Sequence, residues 1–232
     1  MRKWIVFFLA FALLIGVSFS SYLFFYRAEF VSNSLGRLYG VPVKVSKVRI
    51  SKSGIKLLNV VVYNPSEFVL QPALSIACID VRMQPKELFT LLLSSQPCVL
   101  KKIRIVDPLV GIEMLNPNGT DNNWIRILAS LANELNLPTG RRVKVSKIDL
   151  QDIVIEVRNR SVGKGLKRPP PIGHIEMSQV EKDKAMTIPE LVYWVTRLSL
   201  LEIGERLPQS DFTKAIESAP QPQTHSQILQ IR

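Results

Sequence analysis

An uncharged apolar run near the N-terminus constrains this chain more than any other feature. Residues 4–26 contain no charged side chain and consist almost wholly of aliphatic, aromatic and small residues. A helix rises 1.5 Å per residue, so this run is long enough to cross a bilayer core of about 30 Å. It therefore predicts a transmembrane anchor over residues 1–27. The anchor side chains that we expect in the lipid or at its interfaces are Trp4, Phe8, Leu13, Tyr22 and Tyr26.

The orientation of the anchor follows from the charges that precede it. Arg2 and Lys3 stand immediately before the apolar run, and basic residues flanking a span are retained in the cytoplasm. This pattern predicts a cytoplasmic N-terminus and a single pass, with the main domain on the far side. A cleaved signal peptide is the alternative, with Ser18 and Ser20 as the small residues before the cut. Both interpretations export the domain.

The composition indicates a folded, basic protein. With 47% hydrophobic residues, the 232-residue chain can form one anchored domain or two small ones. Its 30 basic and 19 acidic residues give a formal net charge of +11, which favours an anionic partner such as phospholipid headgroups. We expect no nucleic-acid partner, because an exported domain rarely meets nucleic acid and no basic-aromatic module is visible.

Alternating apolar residues predict a strand-rich domain after the anchor. Predicted strands cover residues 43–50, 55–63, 74–83, 103–106, 109–115, 143–150, 153–157 and 172–180. Asp107 and Pro108 predict a break between two of them.

Helix signals occur between these strands. Predicted helices cover residues 28–39, 85–93, 124–135 and 187–206. Gly40 ends the first of them, and Thr187 with Glu190 forms the capping box of the last. Residues from Pro208 onward are rich in Gln, Pro and Ser, which predicts a flexible tail.

One stretch of sequence repeats. The six residues from Val43 to Val48 return almost unchanged from Val143 to Ile148. In both copies the apolar residues step by two and then by three, a phase slip typical of a bulge. Coincidence among valine-rich strands is the alternative. The repeat predicts a first β-rich unit with a helix at 28–138, a shorter β-unit with a C-terminal helix at 139–207, and the tail at 208–232.

No motif for chemistry stands out. His174 and Glu176 form at most a lone surface pair, and Gly163 and Gly165 lack the spacing of a phosphate-binding loop. We therefore predict no enzymatic activity, no catalytic residue, no cofactor-binding residue and no metal site. Cys78 and Cys98 are compatible with a disulfide or with two reduced thiols.

A cluster of basic residues is the best candidate for binding. The predicted contacts to lipid headgroups are Arg158, Arg160, Lys164, Lys167 and Arg168. A solvated strand edge guarded by basic side chains explains the same cluster without a ligand.

Short motifs resemble the N-terminal region of AsmA-like proteins of Gram-negative envelopes, relatives of the larger TamB-type proteins. The likeness covers about residues 1–206. After the anchor, a Leu-Gly turn segment at 35–40 leads into a Val-x-Val strand. The stretch 58–68 is similar to the family's Asn-Pro-x-Gly-Phe segment, with Glu67 where glycine is usual, and 73–81 fits the next strand. Residues 116–128, with Gly119, Asn123 and Trp124, resemble the Gly-x-x-Asn-Trp segment that follows a strand ending in Glu.

The resemblance implies a fold and a function. It implies an α+β fold, in which an N-terminal transmembrane helix precedes a curved, mainly antiparallel sheet covered by a few helices. Similar proteins are anchored in the inner membrane, with the sheet in the periplasm, and are associated with outer-membrane assembly and phospholipid transport. Membrane phospholipid is then the expected partner. Because two short β-units do not span the periplasm, an envelope protein pairing with a sheet edge is a further expected partner.

Overall fold

Helices pack on a nine-stranded mixed sheet in the computed structural model, which describes residues 26–94, 96–135, 141–178, 185–207 and 210–220. The strands are β1 (Val43–Ser51), β2 (Gly54–Val62), β3 (Leu74–Met83), β4 (Cys98–Met114), β5 (Arg142–Val145), β6 (Lys147–Asn159), β7 (Lys164–Lys167), β8 (Ile172–Ser178) and β9 (Met186–Thr187). The helices are α1 (26–39), α2 (Pro85–Leu93), α3 (Asn123–Glu134), α4 (Ile188–Glu205) and α5 (Ser210–Ser218). The α+β class and the mainly antiparallel sheet with a few helices are confirmed.

The long strand β4 organises the sheet. β1, β2, β3 and β4 form an antiparallel meander. Along its other edge β4 pairs in parallel, first with β5 and then with β6. β6 in turn pairs antiparallel with β7 and β8, while β9 pairs with β5. Strands from both predicted β-units therefore share one sheet, and the division into units stays a prediction.

The predicted break at Asp107 and Pro108 is wrong. β4 continues through both residues for 17 residues in all. Asp107 adopts a φ of +50°, which carries the chain past the proline without ending the strand. The two predicted strands are therefore one.

The phase slip recurs in six neighbouring strands at the same level of the sheet. Buried or inward-facing residues step by three in β1, β2, β3, β4, β6 and β8 at Val45–Val48, Leu57–Val60, Ile76–Ile79, Ile105–Pro108, Leu150–Ile153 and Ile172–Ile175. The register places these steps opposite one another. We call the residues at this level the slip row: Ser46, Asn59, Ala77, Asp107, Asp152 and Gly173. Three of them, Asn59, Asp107 and Asp152, have positive φ.

Local signals account for the helices. α1 ends where Gly40 adopts a φ of +66°, and α3 begins at Asn122, whose side chain accepts hydrogen bonds from the backbone N–H groups of Trp124 and Ile125. α4 has the predicted capping box, with both hydrogen bonds between Thr187 and Glu190 present.

The C-terminal region differs from the prediction of a flexible tail. Residues 210–218 form α5, and its Phe212 and Ile216 are fully buried. The buried guanidinium of Arg197 donates a 2.9 Å hydrogen bond to the carbonyl oxygen of Glu217 near the end of α5. Part of the predicted tail is thus a packed helix.

The predicted anchor lies almost wholly outside the described residues. Trp4, Phe8, Leu13 and Tyr22 fall there, and Tyr26 is the first described residue of α1, about half exposed. Among the helices in the described ranges, none has both the length and the apolarity that crossing a bilayer requires.

Candidate functional site

An apolar cavity of about 310 Å³ lies between the sheet and the helices that cover it. We call this covered side of the sheet the inner face. Strands contribute residues from both sides of the slip row, among them Leu57, Val60, Ile76, Ile79, Ile105, Val110, Leu150 and Ile153. α1 contributes Leu35 and Tyr39, α3 contributes Trp124, and α4 contributes eight residues from Ile188 to Ile203. The volume is at the lower end of small-molecule pockets, about 300–1,000 Å³.

Contacts with β9, α3 and α5 position helix α4 over the cavity. At its start, Met186 and Thr187 form β9 and pair with β5. Along its length, α4 packs on α3 and α5. Its Leu191, Leu200 and Ile203 are buried toward the core. These supports position α4 without requiring its side chains to fill the space above the sheet.

The cavity wall offers almost no polar chemistry. Of the described residues that line it, none is charged. The Tyr39 hydroxyl lies 3.4 Å from the Thr196 hydroxyl, and Ser199 donates a 2.7 Å hydrogen bond to the carbonyl oxygen of Val195 within α4. Burial raises the pKa of Tyr39, and the hydrogen bond to Thr196 opposes this only in part. The described wall therefore carries three hydroxyl groups and is otherwise almost wholly apolar.

Some of the motif residues that carry the family resemblance, Asn64, Asn122, Asn123 and Trp124, lie with Gly111 and Glu113 at one end of the sheet. We call these six residues the polar junction. The Asn123 side chain donates to Asn64 Oδ1 at 2.7 Å and to the carbonyl oxygen of Gly111 at 2.9 Å. It also accepts from the backbone N–H of Glu113 at 3.0 Å. The indole of Trp124 donates to the same Gly111 carbonyl oxygen at 2.9 Å.

Close approach of the backbone explains the glycine in the junction. A Cβ at Gly111 would lie 2.5 Å from the carbonyl oxygen of Pro72, so a larger residue would push the 63–73 loop away. Asn64 holds the same loop, because its side chain donates to the carbonyl oxygen of Leu70 and its backbone N–H donates to Gln71 Oε1 at 2.9 Å. The hydrogen bonds of the junction therefore fix the positions of β4, this loop and α3 relative to one another.

A buried carboxylate completes the junction. Glu113 is fully buried, and its Oε2 accepts hydrogen bonds from the backbone N–H groups of Val69 at 2.8 Å and Leu70 at 2.6 Å. Its Oε1 lies 3.6 Å from Nε of Arg160, whose Nη1 donates to the carbonyl oxygen of Glu67 at 3.0 Å. Two backbone amides and one guanidinium therefore compensate a charge that is excluded from water.

A second buried carboxylate lies on the opposite, outer face of the sheet. Asp149, 2% exposed, lies 2.7 Å from Lys102 Nζ and also contacts His174 Nε2. Burial raises the pKa of Asp149, but the hydrogen bonds and charges of Lys102 and His174 outweigh it, and the net pKa is lowered. His174 therefore pairs with Asp149, while Glu176 lies 2.6 Å from Lys147.

The predicted headgroup contacts lie along β6 and β7. Arg160 pairs with Glu113, and Arg168 pairs with Glu156 at 2.6 Å. Arg158 and Lys167 make no ion pair with the described residues, and the side chain of Lys164 lies outside them. The cluster lies on one hairpin, and its role in headgroup binding stays a prediction.

The two cysteines are free. Cys78 on β3 is opposite Val106 on β4, and Cys98 lies eight residues further along that strand, roughly 25 Å away. Burial, with Glu87 close by, raises the pKa of Cys98 to about 11. The alternative of two reduced thiols is therefore the one that the fold allows.

The sequence did not predict the cavity between the sheet and the helices. The spacing of Ile188, Leu191, Val195 and Leu198 predicts a buried stripe on α4, but it does not tell that part of this stripe faces a void. Comparisons with family models, curated proteins and solved structures found no match to this chain.

Proposed function

We propose that this chain is a non-enzymatic, inner-membrane-anchored periplasmic protein of the AsmA-like type that acts in outer-membrane and envelope biogenesis by binding or passing phospholipid. The observation that carries the proposal is the uncharged cavity between the inner face and α4. An acyl chain is the proposed occupant.

The chemistry of the wall selects the part of the lipid that enters. A phosphate or an amine in the cavity would lose its hydration and gain at most the hydroxyls of Tyr39, Thr196 and Ser199. Each buried methylene, by contrast, contributes about 0.8 kcal/mol. The headgroup therefore stays outside, where basic side chains at the surface can meet its phosphate.

Photo-crosslinking in living cells tests the proposal on the full chain. A benzophenone amino acid replaces Val195, which lines the cavity, in cells grown with radioactive phosphate. The matched control places it at Val154, a 39% exposed residue of β6 that does not line the cavity. We expect phosphate label on the protein after irradiation only with the Val195 probe. Label from neither position, with both proteins folded, would overturn phospholipid binding in the cavity.

A space-filling variant separates cavity binding from chance contact. Val192→Phe narrows the cavity, so we expect it to reduce the label captured from position 195. Val99→Phe makes the same change at an exposed site outside the cavity and should leave the label unchanged.

A structural scaffold that docks an envelope complex without lipid is the second candidate. Among the described strands, β1 pairs with β2 alone. α1 reaches the other edge of β1, where Ser32 accepts a 2.9 Å hydrogen bond from the backbone N–H of Val45. Beyond this point the edge carries exposed Lys47 and Arg49. A benzophenone probe at Arg49 that captures one protein, together with no lipid label from Val195, would favour the scaffold.

A further inference from the structure

The hairpin formed by the end of β6 and β7 lies at one end of the sheet; we call residues 157–168 the basic arm. Among the described elements, β7 makes appreciable contacts with β6 alone. A Cβ built at Gly163 or Gly165 would meet nothing within 4 Å. The tip of the arm is therefore surrounded by solvent, with no other part of the described chain packed on it.

Large aliphatic side chains are exposed on this arm. Val162 is 45% exposed and Leu166 is 47% exposed. Val69, 58% exposed, belongs to the neighbouring loop, which Glu113 holds beside Arg160 through the hydrogen bond from the Val69 backbone N–H. Several half-exposed aliphatic side chains close together in the chain are typical of a surface that meets a partner.

The charge of the arm indicates the chemistry of that partner. Residues 156–168 contain five basic residues and one acidic residue, a net charge of +4 from five minus one. Arg168 offsets Glu156, and Arg160 is engaged by Glu113 at the base of the arm. Arg158 and Lys167 remain uncompensated among the described residues, and they belong to the same hairpin as the exposed aliphatic side chains.

We propose that the basic arm docks on an anionic bilayer surface, with Val162 and Leu166 entering the boundary between headgroups and acyl chains and Arg158 and Lys167 binding lipid phosphates. Aliphatic residues beside cations bind such a surface through both apolar burial and electrostatic attraction. The inference goes beyond the proposed function, because the arm is a contact surface whether or not the cavity holds a lipid.

The fold places the arm far from the beginning of α1. Ser32 lies level with Val45, and α1 runs antiparallel to β1, so residue 26 lies near the level of Val48 and Leu150. From Leu150 to Arg160 the strand direction covers roughly 30 Å. Residue 26 therefore lies near the middle of β4 and roughly 30 Å from the arm along the strand direction, so vesicles supplied separately are the appropriate probe.

Fluorescence at the tip tests the docking. The full chain is reconstituted in phosphatidylcholine nanodiscs with a genetically encoded dansyl amino acid in place of Leu166. We expect a blue shift of the dansyl emission when vesicles of phosphatidylcholine and phosphatidylglycerol are added, and none with phosphatidylcholine vesicles. The same probe at Val99, exposed near the opposite end of the sheet, should not respond. Salt should weaken the response, since it screens surface charges.

Charge variants test the role of the cations. Each lost cation should weaken vesicle binding about fivefold, so Arg158→Gln with Lys167→Gln should weaken it about 25-fold. The matched control, Lys44→Gln with Arg49→Gln, removes the same charge from exposed positions of β1 and should leave binding close to wild type.

Three outcomes would overturn the proposal: no shift with anionic vesicles, an equal shift with neutral vesicles, or equal weakening by both charge variants. Lipid capture from Val195 is measured separately, on the chain with an unaltered arm and without added vesicles. A failure of the arm can therefore be distinguished from a failure of the cavity.

Discussion

The cavity and the polar junction belong to the same sheet but differ in polarity and in packing. The cavity wall is apolar and encloses empty volume, whereas the junction is filled with buried polar groups that are joined by hydrogen bonds. The polar residues of the recognisable motifs belong to the junction, because only particular side chains satisfy its hydrogen bonds. The cavity is built mainly from Val, Ile and Leu. Apolar residues of the same motifs, among them Leu35, Ile76 and Trp124, also line the cavity, so the motifs contribute to both regions.

Removing the carboxylate of the junction should cause the largest loss of stability. Glu113→Ala leaves the backbone amides of Val69 and Leu70 without their acceptor. We expect a decrease of about 3–5 kcal/mol in the free energy of unfolding, measured by urea denaturation in detergent. Glu67→Ala removes an exposed carboxylate from the same loop and should cost little. Similar losses of stability in the two variants would contradict the larger contribution that we assign to the buried carboxylate of the junction.

Two isoleucines of β4 sharpen the comparison at an intermediate magnitude. Ile112 is fully buried and does not line the cavity, whereas Ile105 faces it. Truncating a buried isoleucine to alanine costs about 2–5 kcal/mol. The cost is higher where the removed atoms were packed on all sides, and lower where they already faced empty space. We expect Ile112→Ala to lie near the top of this range and Ile105→Ala near the bottom, by the same denaturation measurement. Equal losses of stability in the two variants would indicate that no empty space lies beside Ile105 in solution.

The smallest expected effect is the pH dependence from Asp149. Its lowered folded-state pKa contributes stability above the unfolded value of about 3.9, and this contribution is lost as pH falls through the folded pKa. Asp149→Asn should therefore lower the free energy of unfolding by about 1 kcal/mol at neutral pH, and the gap to wild type should narrow below about pH 4. Asp152→Asn, on the same strand and exposed, is the control. A gap that stays constant down to acid pH would contradict the assignment.

Most strands and helices could be predicted from local patterns. Alternation fixed β1 to β3, and the capping residues Thr187 and Glu190 fixed the start of α4. The prediction of a strand break at Asp107 and Pro108 was wrong. These two residue types normally end a strand, but Asp107 adopts a positive φ and the strand continues. The helix α5 was missed although Phe212, Ala215, Ile216 and Ala219 form an apolar stripe, because the composition around it favoured a tail.

The candidate site was less predictable for a different physical reason. A cavity depends on how far α4 stands from the sheet, and this distance follows from contacts between remote elements such as β5 with β9 and α4 with α5. The role of Asn123 likewise depends on Asn64, 59 residues away. Neither relation leaves a periodic signal in the sequence.

The slip row has a consequence for how this protein can change during evolution. A residue at this level, such as Asp107, adds one position to its strand and thereby sets which faces the remaining side chains adopt. Its identity is permissive, since Asn, Asp, Ala, Ser and Gly all occur there. Deleting it would restore strict alternation and keep Pro108 and Val110 on the inner face, but it would leave β4 one residue short against β3 and β6, which retain the extra position. Insertions and deletions are therefore restricted to loops, and the six strands must keep their lengths together while their side chains diversify.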